Sequence, residues 1–442
     1  MRRLISLFHR HRHAKWALTD QAVVSGSNFI TGILLARFLG PVSFGMFVLL
    51  QSIILYVNSF QGALIFQPMM SAAPQLSETE RANYLQGVFA LQLSLCFGIS
   101  IIVGLLALLA HALGLPAQVG LDSNTLLALI AALLAFQMQD WQRRFYFVQE
   151  KAGCAFFIDV ISYGSQITLL GVAFVSETLT VATAFWIIAG ASFTAFAVGF
   201  TRHSLQPVFS HARSVLRDGW RTGRDYLAAW QFQWLGSQGV FMLAAGVVGT
   251  HAVGGVRATQ NIIGPINIMF LAMDNLIPIA AAKRYSTGGL QGLTKYLWRI
   301  TFVGTCLLAP VLLLLAVFAT PIMHVLYGEQ YVAFAVLVYW QAAYIFILFY
   351  LRQTFFFLRT VKASGIILRS GILMALVSIT IAALTVHRYH EVGLMLALLC
   401  AVCTGLLYTA TASRRLTTVL KKSTQPQLNG SLDNRLNVVG KA

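Results

Sequence analysis

Twelve apolar runs, each long enough to cross a lipid bilayer, divide this sequence from end to end. A helix needs about 20 predominantly apolar residues to span a hydrocarbon core ~30 Å thick. The runs lie near residues 17–38, 43–66, 86–111, 123–140, 154–176, 180–201, 227–249, 252–281, 296–320, 331–351, 366–386 and 391–412. Only 10% of the residues are charged, whereas a soluble domain carries about 25%. The sequence therefore predicts an all-α integral membrane protein of about twelve transmembrane helices.

The longest polar connection divides the twelve runs into two sets of six. It extends from His203 to Arg224 and carries four arginines. We therefore predict four parts, namely an N-terminal six-helix lobe (1–202), a cytoplasmic linker (203–225), a C-terminal six-helix lobe (226–412) and a polar cytoplasmic tail (413–442).

The two lobes repeat one another at an offset of 209 residues. Matches between polar residues and glycines carry this repeat, because leucine and isoleucine matches are frequent in so apolar a chain. The pairs are Gly40 and Gly249, Gly45 and Gly254, Gln51 and Gln260, Asn58 and Asn267, and Arg143 and Arg352. The offset covers six spans, an even number, so the lobes point the same way and form a parallel repeat.

Two segments of this repeat resemble helix signatures of the polysaccharide-transporter, or Wzx-type, flippases of the MOP superfamily. They are LLARFLGPVSFGMFVLLQS (Leu34–Ser52) and AAGVVGTHAVGGVRATQNIIGP (Ala244–Pro265). The resemblance implies two lobes around a central cavity that opens alternately to each side. It also implies transport of a polyprenyl-diphosphate-linked oligosaccharide from the cytoplasmic to the periplasmic leaflet. Since drug exporters share this architecture, a MATE-like exporter of amphipathic small molecules is the alternative.

The same resemblance implies the partners of the chain. They would be the lipid-linked oligosaccharide, the membrane lipids and other proteins that assemble a surface polysaccharide such as O-antigen, capsule or exopolysaccharide. The GxxxxGK[ST] nucleotide-binding motif does not occur in the sequence. We therefore expect no cofactor, and expect any energy for transport to come from an ion gradient or from the gradient of the substrate.

Catalytic and metal-binding patterns are not found. Cys400 and Cys403 have CxxC spacing, but they lie in an apolar run without a second pair, so we predict no metal site. The outer connections 112–122 and 320–330 contain no lysine or arginine, whereas membrane glycan polymerases and transferases usually present charged residues there. We expect that the protein is not an enzyme, and such a polymerase or transferase is the less favoured alternative.

The basic residues predict the orientation of the chain. The formal net charge of +17 would suggest nucleic acid as the partner of a soluble protein, but here the basic residues recur in short clusters between apolar runs. With the N-terminus in the cytoplasm, 28 of the 31 lysines and arginines lie on the cytoplasmic side, and Arg37, Arg257 and Arg388 do not. We predict a multi-pass protein of the inner (plasma) membrane with both termini in the cytoplasm, and no nucleic-acid partner.

Polar residues at helical spacing predict a cavity. In the eighth span, Arg257, Gln260 and Asn267 fall on one face of a helix. An unpartnered polar group costs several kcal/mol in hydrocarbon, so this face must meet water or other polar groups. Hydrogen bonding between helices is one interpretation, and a hydrated cavity that binds sugar hydroxyls is the favoured one. The candidate cavity residues are Asn28, Gln51, Asn58, Arg257, Gln260, Asn267 and Asp274.

Three arginines are candidates for contact with the lipid headgroup. Arg143 and Arg352 lie near the cytoplasmic ends of the fourth and tenth spans, and Arg37 lies near the outer end of the first. Arginine binds phosphate oxygens bidentately, so these residues could contact the diphosphate at the two leaflets. The alternative is anchoring to the membrane surface, with Arg143 and Arg352 on anionic phospholipids.

Asp274 is the acidic residue that we place near the midplane of the membrane. It lies nine residues before Lys283, which at 1.5 Å per residue is about 14 Å from the cytoplasmic edge. An ionisable residue at this depth is a functional hypothesis by default, and here the hypothesis is proton transfer. The alternative is a structural role, in which Asp274 accepts hydrogen bonds from backbone groups freed by Pro278.

The orientation can be tested with reporter fusions after Ser413 and within 213–224. Both sites should support a reporter that is active only in the cytoplasm, because the basic residues around them oppose translocation. A fusion at 387–391 is the matched control and should support only a periplasmic reporter. Periplasmic activity after Ser413 or within 213–224 would contradict the predicted orientation.

Overall fold

The computed structural model describes residues 2–112, 122–202 and 205–424, and every regular element in these ranges is a helix. The α-helices are α1 (Arg2–Gln61), α2 (Gln67–Ala72), α3 (Glu78–Ala112), α4 (Ser123–Val148), α5 (Ala152–Val175), α6 (Val181–Phe200), α7 (Phe209–Trp234), α8 (Val240–Val248), α9 (Thr250–Ile262), α10 (Ile266–Val317), α11 (Ala319–Tyr327), α12 (Ala335–Thr360) and α13 (Ser364–Thr424). Two π-helices (Gly62–Phe66 and Leu235–Gly239) and two 3₁₀-helices (Ala73–Gln75 and Glu329–Phe334) lie between them. The predicted all-α fold is confirmed.

The number of membrane crossings follows from sharp bends in the longest helices. Seven of the described helices are long and apolar enough to span a membrane. Three of these bend back at a residue with positive φ, namely Gly40 (75°), Gly289 (56°) and His390 (48°), and so cross twice. At Gly40 the backbone needs glycine, and Pro41 then supplies the fixed φ that suits a first helical turn. Helix α4 and the continuous segment from α7 to α8 complete the predicted twelve.

The eighth span differs from the predicted continuous helix. Helix α9 ends at Ile262, a turn follows, and α10 begins at Ile266. Gly264 and Pro265 explain the break, because glycine weakens a helix and proline lacks the N–H that an uninterrupted helix requires. The predicted polar face is therefore divided between two helices, with Arg257 and Gln260 on the first and Asn267 and Asp274 on the second.

The predicted linker and tail are helical where they are described. Helix α7 begins at Phe209 and continues into the seventh span, so most of the linker 203–225 forms an amphipathic helix. Helix α13 continues past the predicted end of the last span to Thr424. Residues 203–204, the outer connection at 113–121 and the rest of the tail at 425–442 lie outside the described residues.

The two halves of the chain meet through repeat-related glycines. We call the end of the bundle where α1 bends the Gly40 end, and the opposite end, where the chain begins, the terminal end. A Cβ atom on Gly45 would lie 1.8 Å from the carbonyl oxygen of Thr250, and one on Gly254 would lie 2.0 Å from that of Pro41. Glycine is therefore required at both positions for the backbones to approach so closely. Because repeat mates meet here, the crossing lies on the pseudo-two-fold axis.

The buried apolar side chains also distinguish the two ends. One cluster joins both halves near the Gly40 end and includes Leu35 and Val253. Near the terminal end, a cluster around Trp141 belongs to the first half and α7, and a separate cluster around Ile277 belongs to the second half. The halves are thus packed together at the Gly40 end, whereas each has its own core at the terminal end.

Candidate functional site

A cavity of about 610 Å³ lies between the two halves. Helices α1, α4, α5 and α6 of the first half and α9, α10 and α12 of the second half contribute to its wall, together with the turn between α9 and α10. Five of the seven predicted cavity residues line it, namely Asn28, Gln51, Arg257, Gln260 and Asn267. The repeat mates Gln51 and Gln260 both reach the wall, so the cavity presents an amide from each half.

Arg257 is the charged residue of this wall. The lining residues include no aspartate, glutamate or lysine. The Arg257 Nη1 donates a hydrogen bond to Gln260 Oε1 at 3.0 Å, and its guanidinium carbon lies 5.8 Å from the centre of the Phe241 ring. Within the described part of the chain, no carboxylate forms an ion pair with Arg257. The cavity therefore carries a positive charge that no carboxylate of the described chain neutralises.

The wall also contains polar residues that the sequence did not identify. Asn261 lies next to Gln260, and its Nδ2 donates to the backbone oxygen of Phe29 in the first half at 3.1 Å. Gln166 Nε2 donates to Thr31 Oγ1 at 3.2 Å. The remaining examples are Gln139, Ser162 and Ser192. Signals for some of them were present in the sequence, since Gln139 lies among Gln137, Asp140 and Gln142. Ser162 and Gln166 follow Asp159 at the spacing of one helix face, and the prediction did not use this pattern.

Asn58 lies away from the cavity wall, although its repeat mate Asn267 is part of it. The Asn58 Nδ2 donates to Asp140 Oδ2 at 3.0 Å, and Arg144 Nε donates to the same oxygen at 3.2 Å. Asn58 therefore joins α1 to the ion pair of Asp140 and Arg144 on α4. The repeat places the two asparagines in equivalent positions, but their surroundings are not equivalent.

Arg143 is held by two buried carboxylates of the first half. Its Nη2 lies 2.6 Å from Asp20 Oδ2, and its Nε lies 2.7 Å from Asp159 Oδ2. Both aspartate side chains are inaccessible to solvent, and Gln139 Nε2 donates to the second oxygen of Asp159 at 3.2 Å. The guanidinium that was a candidate for headgroup contact is thus occupied within the protein and ties α1, α4 and α5 together.

Asp274 and Arg352 form an ion pair between α10 and α12. Neither interpretation of Asp274 from the sequence included Arg352, which lies 78 positions away in the chain. Neither residue lines the cavity, and both are partly exposed, at 34% for Asp274 and 29% for Arg352. At the Gly40 end, the exposed Arg37 donates through Nη1 to the backbone oxygen of Val325 at 2.8 Å, so it joins α1 to α11.

The fold of the chain is similar to that of solved membrane transporters. An inward-facing multidrug resistance MATE family transporter of the MOP superfamily matches 90% of this chain and 95% of its own, with a TM-score of 0.71 and 14% identity. The lipid II flippase MurJ in an inward closed conformation matches 92% of each chain, with a TM-score of 0.64 and 13% identity. The chain has the fold of the MOP superfamily transporters. No family model and no curated protein matches the sequence.

The MOP fold occurs in two orientations of its halves, and the packing at the two ends indicates which of them this chain resembles. An outward-facing MATE family transporter gives a TM-score of 0.60 at 16% identity, over 94% of this chain and 96% of its own, which is lower than the 0.71 of the inward-facing one. If the terminal end faces the cytoplasm, as the basic residues predict, the shared core at the Gly40 end and the separate cores at the terminal end agree with this order.

Arg143→Gln should destabilise the protein, because it leaves the carboxylates of Asp20 and Asp159 buried without their counter-charge. Removing one partner of a buried ion pair typically costs about 3–5 kcal/mol. We expect a lower melting temperature of the purified protein, and partial recovery in the double variant Arg143→Gln/Asp159→Asn, which removes one of the two stranded carboxylates. A single variant as stable as the wild type would contradict this structural role of Arg143.

Proposed function

We propose that this chain moves a polyprenyl-diphosphate-linked oligosaccharide from the cytoplasmic to the periplasmic leaflet of the inner membrane, for assembly of a surface polysaccharide. The observation that carries the proposal is the unneutralised charge of Arg257 in a cavity otherwise lined by amides, hydroxyls and apolar groups. A guanidinium away from bulk water binds phosphate oxygens strongly and bidentately. An anionic headgroup is the ligand that complements this wall.

The neutral polar residues of the cavity suit the sugar part of the substrate. Gln51, Gln260, Asn28 and Asn267 offer amide donors and acceptors from both halves, and sugar hydroxyls need both. Tyr344 adds an aromatic ring to the wall, and apolar ring faces favour the faces of pyranoses. Because no element of this wall selects one sugar stereochemistry, the proposal names a class of lipid-linked glycan.

The alternative of a MATE-like exporter requires a different charge in the cavity. An amphipathic cation would need a carboxylate at the wall, and the lining residues include none. The carboxylates nearest in the sequence to lining residues, Asp140 and Asp159, are paired with Arg144 and Arg143. Charge complementarity therefore favours the anionic substrate over the cationic one.

The packing of the two halves at the Gly40 end bears on the side from which the substrate headgroup enters the cavity. If the terminal end faces the cytoplasm, as the basic residues predict, the separate cores at that end allow a headgroup to enter from the cytoplasmic leaflet. Parting of Gly45 and Gly254 would then open the cavity to the other side. Alternating access of this kind needs no nucleotide, which agrees with the missing nucleotide-binding motif.

The proposal is tested in cells that lack the gene. Deletion should abolish one surface glycan, and the lipid-linked repeat unit should accumulate in the inner leaflet. Complementation with Arg257→Gln should lower export by about 10–100-fold, because a hydrogen bond to a charged group contributes about 1.5–3 kcal/mol. Export is measured as the rate at which new glycan appears on the cell surface.

The matched control is Arg388→Gln, which removes an exposed arginine remote from the cavity and should complement fully. Membrane levels of both variants are compared by immunoblot. Normal glycan export by a stably inserted Arg257→Gln variant would contradict the proposal. Deletion that leaves every surface glycan intact and sensitises cells to cationic dyes would establish the exporter instead.

A further inference from the structure

The ion pair of Asp274 and Arg352 lies on the faces of α10 and α12 that line the cavity, further towards the terminal end. On α12, Tyr344 and Leu348 line the cavity, and Arg352 follows on the same face one turn later. On α10, Asn267 lines the cavity, and Asp274 follows two turns later, about 10 Å along the helix. The pair therefore sits at the rim of the cavity, on the side from which a cytoplasmic headgroup would arrive.

Arg352 retains binding capacity that Asp274 does not use. Its Nη1 donates to Asp274 Oδ2, and its Nη2 makes no hydrogen bond to a described residue. Its Nε is buried, and its guanidinium carbon lies 4.7 Å from the centre of the Phe270 ring. A planar guanidinium stacked on an aromatic face is held in place while its edges stay available to a ligand. The 29% exposure of Arg352 leaves room for that ligand.

The repeat mate of Arg352 shows that this arrangement is not a general feature of the fold. Arg143 is 18% exposed and lies between two carboxylates that are fully buried, Asp20 and Asp159. Arg352 has one carboxylate, and that carboxylate is itself partly exposed. The equivalent arginine thus has two buried carboxylate partners in the first half and one partly exposed carboxylate partner in the second.

We propose that Arg352 is a second diphosphate-binding site at the cytoplasmic rim of the cavity, and that Asp274 occupies it as an internal competitor until a headgroup arrives. The inference rests on the proposed function, since it names a further group that handles the same headgroup before Arg257 does. A diphosphate carries more negative charge than a carboxylate and offers more oxygens, so it displaces Asp274 from Arg352.

The competition gives the rim site a moderate affinity. The displaced carboxylate of Asp274 stays close to the bound phosphates and repels them. A transport path needs intermediate sites that bind strongly enough to fill and weakly enough to empty. The headgroup can therefore pass on to Arg257, where no carboxylate competes.

The test uses full-length protein in nanodiscs and inorganic pyrophosphate as the probe, titrated by calorimetry. The wild type should show two binding events, a tighter one that Arg257→Gln abolishes and a weaker one that Arg352→Gln abolishes. Asp274→Asn should tighten the weaker event by about fivefold or more, because it removes the internal competitor. The gain should persist in Arg257→Gln/Asp274→Asn and vanish in Asp274→Asn/Arg352→Gln.

Two outcomes overturn the inference, namely an Asp274→Asn protein that binds pyrophosphate no tighter than the wild type and a gain that survives Arg352→Gln. If Asp274→Asn does not fold, the double variant Asp274→Asn/Arg352→Gln, which leaves no unpaired charge, is titrated instead. A weaker binding event that is as strong in this variant as in the wild type would contradict the rim site. A wild type that shows the weaker event without the tighter one would contradict the role of Arg257 and leave the rim site standing. Arg388→Gln serves as the unaffected control.

Discussion

The low dielectric of the membrane interior determines how charge is arranged in this protein, because an ionised side chain there needs a counter-charge, a polar cavity or a ligand. Arg143 is neutralised by Asp20 and Asp159, and Arg352 is paired with Asp274. Arg257 meets the requirement differently, since it faces a cavity and its hydrogen-bond partner among the described residues is the amide of Gln260. A charge kept without a carboxylate between the two halves is costly, and under the proposed function an anionic substrate would offset that cost.

Some residues have equivalent surroundings in the two halves of the parallel repeat, whereas the arginines do not. Gly45 and Gly254 keep their symmetry because the crossing at the Gly40 end lies on the axis and needs glycine on both sides. Gln51 and Gln260, which are also related by the repeat, both lie at the cavity wall. Away from the axis the halves diverge, and the first half holds its arginine in a rigid ionic cluster. The second half presents Arg257 and Arg352 along one path, which would give a headgroup two successive positions.

Much of this arrangement could be predicted from the sequence, because polar residues are rare in apolar spans and their spacing reveals the face they share. Gln51, Arg257 and Asn267 were found in that way. The ion pairs between helices could not be predicted, since Arg143 and Asp20 are 123 positions apart and nothing local links them. The break before Ile266 was visible in Gly264 and Pro265, but the periodic polar pattern across it suggested a continuous helix. Side-chain pairing depends on how helices are rotated against one another, which periodicity within one helix does not determine.

The central claim is that an anionic lipid headgroup crosses the membrane through the cavity of Arg257. Its most direct test is reconstitution of the purified protein into liposomes that contain a fluorescent polyprenyl-diphosphate-linked oligosaccharide. Leaflet exchange is followed by quenching of the outer pool with dithionite, which does not cross the bilayer. We expect the protein to expose the protected inner pool to the quencher, whereas liposomes without protein retain it. A protected pool that stays protected, while the same proteoliposomes transport a cationic amphipathic dye, would contradict the claim.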